Sequence, residues 1–303
     1  MSVIGGPDRT RTGDLLHVKQ IVLPLTMEPA NQQGLLGKFK EFSLIDLQKS
    51  RRTTYEKIWY IGKFLAWLKE PLQTVTKTTI REYLKTLEGK SGSQYKNCLG
   101  ALKTFFRDFL QMKDAVEGFK FPRQQFSPKE IPTKADLKKL YVEIQSPKEK
   151  ALFLVYASSG LRRNEVLGLN LEDVDFVKRM IRPKTHKGDT KKAWISFYNE
   201  ECEKVLKQYL ETRSDDNPKL FPLARKIERK LWRQAKEITG LDTTPQDLRM
   251  WFCEEMGRLG VQDRYIDAFC GRIPKSVLAK HYSDYSIDKL KEIYDDVELK
   301  VLG

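Results

Sequence analysis

Apolar residues recur at the spacing of an α-helix through most of this chain, and no other feature constrains its fold as strongly. One stripe runs through Ile58, Ile61 and Phe64, and two more follow over residues 80–87 and 99–110. Residues three or four positions apart lie on one face of a helix, so each stripe predicts an amphipathic helix. Three such helices in succession predict a small helical bundle.

The period changes once, within residues 171–197. Short apolar runs at 174–176, 180–181 and 193–197 flank a lysine-rich turn, which is the pattern of short strands. Helical periods then resume and continue to the end of the chain. We therefore predict a mainly α fold that carries a small β-sheet or hairpin, of the α+β class.

Four segments follow from these patterns. Residues 1–37 show no sustained period and are expected to form a mobile arm. The helical bundle is assigned to residues 38–118, and three prolines within 119–134 indicate a linker. Residues 135–303 are long enough for a second domain with its own core.

A formal net charge of +14 makes a polyanion the expected partner of this chain. No stretch approaches the roughly 20 consecutive apolar residues of a membrane span, so nucleic acid is favoured over a membrane. The four cysteines and three histidines follow no metal-binding spacing, and we expect no metal site. Cysteines without paired spacing and a beginning unlike a signal peptide favour a cytoplasmic protein with reduced thiols.

Basic side chains alternate with the apolar stripes of the bundle, where only Glu82 and Glu88 oppose them. This spacing puts them on the solvent face, where they are either an ordinary hydrated surface or contacts to DNA phosphates. The net charge of the chain favours phosphate contact. The candidate DNA-binding residues are Lys77, Arg81, Lys85, Lys90, Lys96, Lys103 and Arg107.

The second domain contains the residue types that a tyrosine needs to attack a phosphodiester. A phenol has a pKa near 10, so the attack needs compensation of the charge that develops at phosphorus. Guanidinium groups match phosphate oxygens bidentately, whereas a lysine can protonate the leaving oxygen. The residues that supply this set are a lysine of the turn, Tyr282, Arg162, Arg249 and Arg272. Glu165, on the first turn after Arg162, would orient that guanidinium or cap the helix.

At these positions the sequence resembles the tyrosine recombinases, the phage-type integrases. Residues 160–165 read Gly-Leu-Arg-Arg-Asn-Glu and are similar to the family's Gly-Leu-Arg-x-x-Glu turn. Gln-Asp-Leu-Arg at 246–249 resembles its His-x-Leu-Arg box, and Cys-Gly-Arg at 270–272 stands where the family has Leu-Gly-His. The resemblance covers residues 130–303 well. The bundle resembles the family's core-binding domain only in general character.

Three departures from the family pattern bear on the chemistry. Gln246 replaces the usual His or Lys and can only hydrogen-bond a phosphate oxygen. Arg272 replaces His or Trp and adds positive charge. The interval from Gly271 to Tyr282 is one residue longer than the commonest form. This variant set is most similar to the integrases of archaeal viruses and plasmids.

Two assignments have competitors within the sequence. Lys187 stands nearest to the position that the resemblance implies for the acid, and Lys184 is the next choice. Tyr285 and Tyr294 compete with Tyr282 as the nucleophile. Tyr294 falls within an amphipathic helix and is expected to be packed.

The resemblance implies a site-specific DNA recombinase that integrates or excises a mobile element. The tyrosine attacks the scissile phosphate, expels a 5′-hydroxyl and leaves a 3′-phosphotyrosine, which the partner strand's hydroxyl then reverses. Because the ester conserves the bond energy, neither a metal nor another cofactor is expected. The implied partners are double-stranded DNA and further copies of the chain, as a dimer on each site and a tetramer in synapsis. The apolar stripe of the last helix, through Leu290 and Ile293, is expected to dock on a neighbouring subunit.

Two alternatives stay open at this point. A type IB topoisomerase has the same chemistry and relaxes DNA without exchanging partners. The departures at Gln246 and Arg272 would also suit a DNA-binding protein that has lost catalysis.

The sequence of the predicted N-terminal arm suggests where in DNA the chain acts. Codons available for Arg-Thr-Arg-Thr at residues 9–12 can spell CGGACTCGAACC, whose complement GGTTCGAGTCCG has the sense of a tRNA T-arm. Some archaeal integrase genes carry their attachment site inside the coding sequence, matching a tRNA gene. This stretch is either such a site read through in translation, a basic tail, or a segment upstream of a true start at Met27. The first interpretation predicts recombination at a tRNA gene.

Overall fold

The structure, a computed structural model, describes residues 29–123, 129–184, 195–223, 225–272 and 283–303. The chain divides into two compact units, Met1–Phe126 and Ser127–Gly303. Their described parts are mainly helical and carry one small sheet, so the predicted α+β class is confirmed. 

The first unit is a helical bundle. Its helices are α1 (Pro29–Ile45), α2 (Arg51–Trp67), α3 (Lys77–Lys85) and α4 (Gly92–Lys103), and α4 continues as a π-helical turn over Thr104–Phe109. The side chains of Ser50, Thr76 and Ser91 cap α2, α3 and α4, each accepting a hydrogen bond from a backbone N–H of the first turn. Phe64 meets Phe106 edge-to-face in the core, with ring centroids 5.5 Å apart.

The predicted arm is too long at its C-terminal end. Helix α1 begins at Pro29, and Leu35 and Phe39 on that helix are buried in the bundle core. Glycines and glutamines between 32 and 37 obscure the helical period, whereas the buried pair is spaced as one turn of a helix. Residues 1–28 of the predicted arm lie outside the described residues.

The second unit packs helices around a three-stranded sheet. Its elements are α5 (Lys134–Glu143), α6 (Pro147–Ser159), α7 (Arg163–Gly168), β1 (Val174–Asp175), β2 (Met180–Ile181), β3 (Ser196–Phe197), α8 (Glu200–Glu211), α9 (Arg225–Thr239), α10 (Pro245–Arg258), α11 (Asp263–Phe269) and α12 (Ile287–Asp296). The strands are antiparallel in the order β1-β2-β3, with Val174 opposite Ile181 and Met180 opposite Phe197. They coincide with the short apolar runs of the sequence.

Helix α6 is the centre of the second unit. Every residue from 151 to 159 is buried, because α8, α10 and β3 pack around this helix. The turn that follows α6, at residues 160–162, is therefore fixed by a helix that is held on all sides. 

The C-terminal segment packs on its own unit. Leu290 and Val301 are fully buried in the core. Asn199 donates from Nδ2 to the carbonyl oxygen of Leu299 over 2.9 Å, and the Glu201 carboxylate accepts from the backbone N–H of Val301 over 2.6 Å. The apolar residues of this segment thus pack within their own unit in the single chain, and docking of the segment on a neighbouring subunit stays a prediction.

Candidate active site

Gly160 begins the site, in the sharp turn between α6 and α7. Its φ of +63° is in the left-handed region, and an added Cβ would lie 2.4 Å from Cδ1 of Phe252. Only glycine fits there without a shift of α10. The turn brings Arg162 to the N-cap of α7, as the sequence predicted for this residue.

Glu165 performs both of the roles that the sequence left open. Its Oε2 accepts from the backbone N–H of Arg162 over 2.7 Å, which caps α7. Its Oε1 accepts from Nη1 of Arg162, also over 2.7 Å, which orients the guanidinium. Nη2 of Arg162 donates to the carbonyl oxygen of Gly271 over 3.3 Å.

A second carboxylate, that of Glu228 on α9, holds the first residue of α7 in place. Glu228, fully buried on α9, forms an ion pair with Arg163 and accepts from Tyr156 Oη over 3.1 Å and from Trp232 Nε1 over 3.2 Å. A buried carboxylate with this many donors is well satisfied. Because Arg163 follows Arg162 directly, this network also restrains the backbone at Arg162.

Arg249 lies on α10 and is 4% exposed. Its Nη1 donates to the carbonyl oxygen of Gly160 over 2.5 Å, and its Nη2 donates to that of Cys270 over 2.8 Å. Burial lowers the pKa of Arg249, and the positive charges of Arg162 and Arg272 lower it further. Among the described residues, the hydrogen-bond acceptors of Arg249 are these two neutral carbonyl oxygens. They do not neutralise the charge of the buried guanidinium, so an anion bound beside it would be stabilised.

Arg272 follows the end of α11, and its side chain is 45% exposed. Its Nη1 donates to Asp267 Oδ1 over 3.0 Å, and its Nη2 donates to the sulfur of Cys253 over 3.6 Å. Arg162 and Arg249 donate to the successive carbonyl oxygens of Gly271 and Cys270, directly before Arg272. The structure thus brings the three predicted arginines together around residues 270–272.

Gln246 lies on the exposed side of the first turn of α10, three positions before Arg249. The carboxylate of Asp247 stabilises this turn, because it accepts from the hydroxyl and from the backbone N–H of Thr244, the N-cap residue. Residues three apart occupy the same side of a helix, so Gln246 and Arg249 project from one face of α10.

The predicted lysines are only partly within the described residues. Lys187 lies outside them, as do the two other lysines of the turn, 191 and 192. Lys184 is described, is exposed, and forms an ion pair with Glu172. The hydrogen bond to Glu172 raises the pKa of Lys184 above its ordinary value, which makes it a weaker acid.

Of the three candidate tyrosines, Tyr282 lies outside the described residues. Tyr294 is 2% exposed and donates from Oη to the carbonyl oxygen of Ser158 over 2.6 Å. Burial raises the pKa of Tyr294 well above 10, so this phenol is shielded from DNA and resists ionisation. Tyr285 is half-buried and packs against Tyr265, with ring centroids 6.1 Å apart.

The seven basic residues predicted to bind DNA differ in their partners within the first unit. Lys85 pairs with Glu82, Arg107 pairs with Asp108, and Lys103 donates to the carbonyl oxygen of Phe119. All of the seven except Lys103 are exposed: Lys77, Arg81, Lys85, Lys90, Lys96 and Arg107.

Two residues of the site were missed from the sequence, Asp267 and Cys253. Asp267 precedes Arg272 by five positions across a helix end, a spacing with no regular pattern. Cys253 could have been noticed, since it lies one helical turn after Arg249 on α10. Within the described residues no cluster of three or more potential ligands could hold a metal ion. No helix in that part of the chain is long and apolar enough to cross a membrane.

Comparisons with known proteins show the family to which this chain belongs. The phage integrase family model matches residues 132–286, half of the chain, and the model of its N-terminal SAM-like domain matches residues 35–114. Tyrosine recombinase XerA from Pyrococcus horikoshii is 27% identical over 268 residues, which cover 83% of this chain and 89% of that protein. The chain therefore belongs to the phage integrase family and is an enzyme of the tyrosine recombinase class.

Two solved structures have a similar fold. A lambda integrase (75–356) dimer bound to a COC′ core site matches with a TM-score of 0.64 at 16% identity, over 83% of this chain and 95% of that chain. The Tn1549 transposon integrase in complex with circular intermediate DNA matches with a TM-score of 0.61 at 17% identity, over 85% and 98%.

Proposed function

We propose that the chain cuts and rejoins double-stranded DNA through a 3′-phosphotyrosine at Tyr282. Tyr282 Oη attacks the scissile phosphorus, the bond to the 5′-oxygen breaks, and Lys187 gives that oxygen its proton. Arg162 and Arg249 hold the non-bridging oxygens as negative charge builds up on them, together with Arg272 and a hydrogen bond from Gln246. The helical bundle that begins with α1 at Pro29 and runs to residue 118 forms the DNA clamp, and residues 135–303 form the catalytic domain.

One observation carries this proposal: Arg162 and Arg249 meet on the carbonyl oxygens of Gly271 and Cys270, beside Arg272. Arg249 brings a buried positive charge, which favours an anion at this point. Tyr282 follows this segment by ten positions along the chain. The burial of Tyr294 supports Tyr282 over that competitor, and the ion pair of Lys184 with Glu172 supports Lys187.

The proposal that DNA is the partner is supported by the net charge of the chain and by its similarity to integrases of known structure. The net charge of +14 fits a polyanion, and the exposed lysines and arginines of the first unit offer contacts to phosphates. The Tn1549 transposon integrase is bound to circular intermediate DNA, and the lambda integrase dimer is bound to a COC′ core site. We extend this to the present chain, acting in the cytoplasm as a dimer on each site and as a tetramer in synapsis.

Covalent capture tests the proposal without knowledge of the DNA site. The full chain is incubated with a library of duplexes that contain a randomised segment and a nick, so that the strand released on cleavage diffuses away. Protein–DNA adducts are recovered under denaturing conditions and their DNA is sequenced. We expect adducts with one enriched sequence, and Arg162→Ala should remove them.

The same assay separates the two alternatives. A topoisomerase would trap covalently with little sequence preference and would relax supercoiled plasmid without joining two duplexes. A DNA-binding protein without catalysis would enrich a sequence in a gel-shift selection and give no covalent adduct. Joining of two duplexes at the enriched sequence is the outcome that belongs to a recombinase.

We further propose that the DNA site lies in a tRNA gene. The support is the codon argument for residues 9–12, which lie outside the described residues. Sequencing the first codons of the gene is the direct test, because codons that fail to spell the T-arm would contradict it. Deletion of residues 1–26 should leave cleavage intact.

A further inference from the structure

Two cysteines lie side by side beneath the arginine cluster. Cys253 is on α10, one turn after Arg249, and Cys270 ends α11. Their sulfur atoms are 3.4 Å apart. Cys270 is fully buried, whereas Cys253 is partly exposed. The sulfur atoms of a disulfide are about 2.05 Å apart, so only a small approach separates this pair from a covalent bond.

Each cysteine also holds one of the arginines. The sulfur of Cys253 accepts from Arg272 Nη2, and the carbonyl oxygen of Cys270 accepts from Arg249 Nη2. Arg272 has a second anchor in Asp267, through Nη1. Within the described residues, the sulfur is thus one of two side-chain contacts that orient the Arg272 guanidinium.

We propose that Cys253 and Cys270 are a redox modification site, at which a hydroperoxide converts the two thiols into a disulfide and releases one anchor of Arg272. Part of this inference rests on the proposed function, since the effect on DNA cleavage presumes that Arg272 contacts the phosphate. The disulfide chemistry itself does not depend on it.

The reaction balances in two steps. The Cys253 thiolate attacks one oxygen of the hydroperoxide and the O–O bond breaks, which gives a sulfenic acid. The leaving oxygen takes up the proton that the Cys253 thiol lost on ionising and departs as an alcohol or water. The Cys270 thiol then attacks the sulfenic sulfur, and its S–H proton leaves with the hydroxyl as water. Two thiols are oxidised by two electrons in all, and one hydroperoxide is reduced.

The surroundings assign the order of attack. The hydrogen bond from Cys270 lowers the pKa of the Cys253 thiol, assisted by the charges of Arg272 and Arg249. The same hydrogen bond and burial raise the pKa of Cys270. The partly exposed Cys253 is therefore the thiolate that meets the oxidant, and the buried Cys270 resolves the sulfenic acid. A neutral disulfide accepts a hydrogen bond from Arg272 far more weakly than a thiolate does.

Thiol counting on the full chain tests the modification without DNA. Treatment with a small excess of hydrogen peroxide should leave two of the four cysteines open to maleimide after denaturation. Peptide mapping should join Cys253 to Cys270, with a loss of two hydrogen atoms in mass. Dithiothreitol should restore four thiols.

Three variants control this experiment. Cys98 and Cys202 are both buried, and a double variant with Ala at both positions keeps the pair and should lose its two remaining thiols. Cys253→Ser should lose none. Cys270→Ser should stop at the sulfenic acid, which dimedone traps. Unchanged thiol counts in the peroxide-treated wild-type chain, or a disulfide between other cysteines, would overturn the proposal.

Release of Arg272 is measured separately, by labelling with phenylglyoxal and mass spectrometry. Oxidation should raise the labelling of Arg272 relative to Arg258, an exposed arginine at the far end of α10. Equal labelling ratios before and after oxidation would overturn the release of Arg272.

With DNA from the covalent capture, oxidation should lower the cleavage rate by about tenfold. Dithiothreitol should reverse the loss, and Cys253→Ser should show the same rate with and without peroxide. If the capture yields no adduct, the proposed function fails while the thiol and labelling results still decide the redox site. If cleavage proceeds and is indifferent to the disulfide, the redox control fails alone.

Discussion

Nη1 of Arg249 lies 2.5 Å from the carbonyl oxygen of Gly160 and ties α10 to the turn between α6 and α7. The same turn carries Arg162, so the two arginines are positioned through one short backbone segment. The bond requires the left-handed conformation of Gly160, which also lets Phe252 pack against that residue. Backbone geometry at Gly160 therefore controls both stability and the arginine cluster.

Gly160→Ala should lower the free energy of unfolding of the second unit by about 2–5 kcal/mol. The alanine would be strained at positive φ, and its Cβ would press on Phe252. Gly168→Ala is the matched control, because that glycine ends α7 with no atom within 4 Å of an added Cβ. Thermal unfolding of both variants checks the prediction, and equal melting temperatures would contradict it.

Arg249→Ala should slow covalent adduct formation by about 10²–10³-fold, the loss typical of a donor that stabilises charge in the transition state. Arg249→Lys should be intermediate, since lysine keeps the charge but cannot reach both carbonyl oxygens with one fork. Single-turnover cleavage of a nicked duplex is the measurement. Arg258→Ala, on the exposed end of the same helix, is the control and should stay within about twofold of wild type.

Glu165→Gln separates the two roles of that residue. The amide oxygen can still cap α7, so the melting temperature should change little, whereas the charge-assisted bond to Arg162 is lost. We expect the cleavage rate to fall about tenfold. Glu165→Ala should add a loss of about 1 kcal/mol in stability, because the cap is lost as well. A Gln variant that cleaves at the wild-type rate would show that the carboxylate serves only as a cap.

Most of the elements could be predicted from the sequence, because their signals are local. Helices lie where the stripes through Ile61 and Phe64, and through Ile80 and Leu84, predicted them. The boxes around Arg162 and Arg249 also marked real turns and helix starts. In each case a few neighbouring residues determine the outcome.

What could not be predicted depends on contacts between distant parts of the chain. Leu35, in the first turns of α1, is buried only because the rest of the bundle packs on it. The residues after α12 are held by Asn199, the N-cap of α8, and by Glu201 on α8. The hydrophobic periodicity of a segment does not show which distant residues it will contact. The sulfur contact between Cys253 and Arg272 joins two helices and likewise has no sequence signature.

Tyr294→Phe tests the assignment of that residue to the core. Loss of the hydrogen bond to Ser158 should cost about 1 kcal/mol at neutral pH and leave covalent adduct formation intact. The folded pKa of Tyr294 is raised, so the stability it contributes is present below pH 10 and is lost as the pH rises and the unfolded phenol ionises. The advantage of wild type over the variant should therefore shrink by up to about 1.4 kcal/mol per pH unit above about pH 10. Urea unfolding of both proteins at pH 8 and above pH 10 checks this, and a constant difference would contradict it.

The identity of the nucleophile is the central claim, and mapping the covalent DNA adduct tests it most directly. The adduct is formed on the enriched nicked duplex, the protein is digested, and the peptide that carries the residual nucleotide is sequenced by mass spectrometry. We predict that the nucleotide is attached to Tyr282, that Tyr282→Phe forms no adduct while binding DNA as tightly as wild type, and that Tyr285→Phe and Tyr294→Phe still form it. An adduct on Tyr285, or any adduct formed by Tyr282→Phe, would contradict the account.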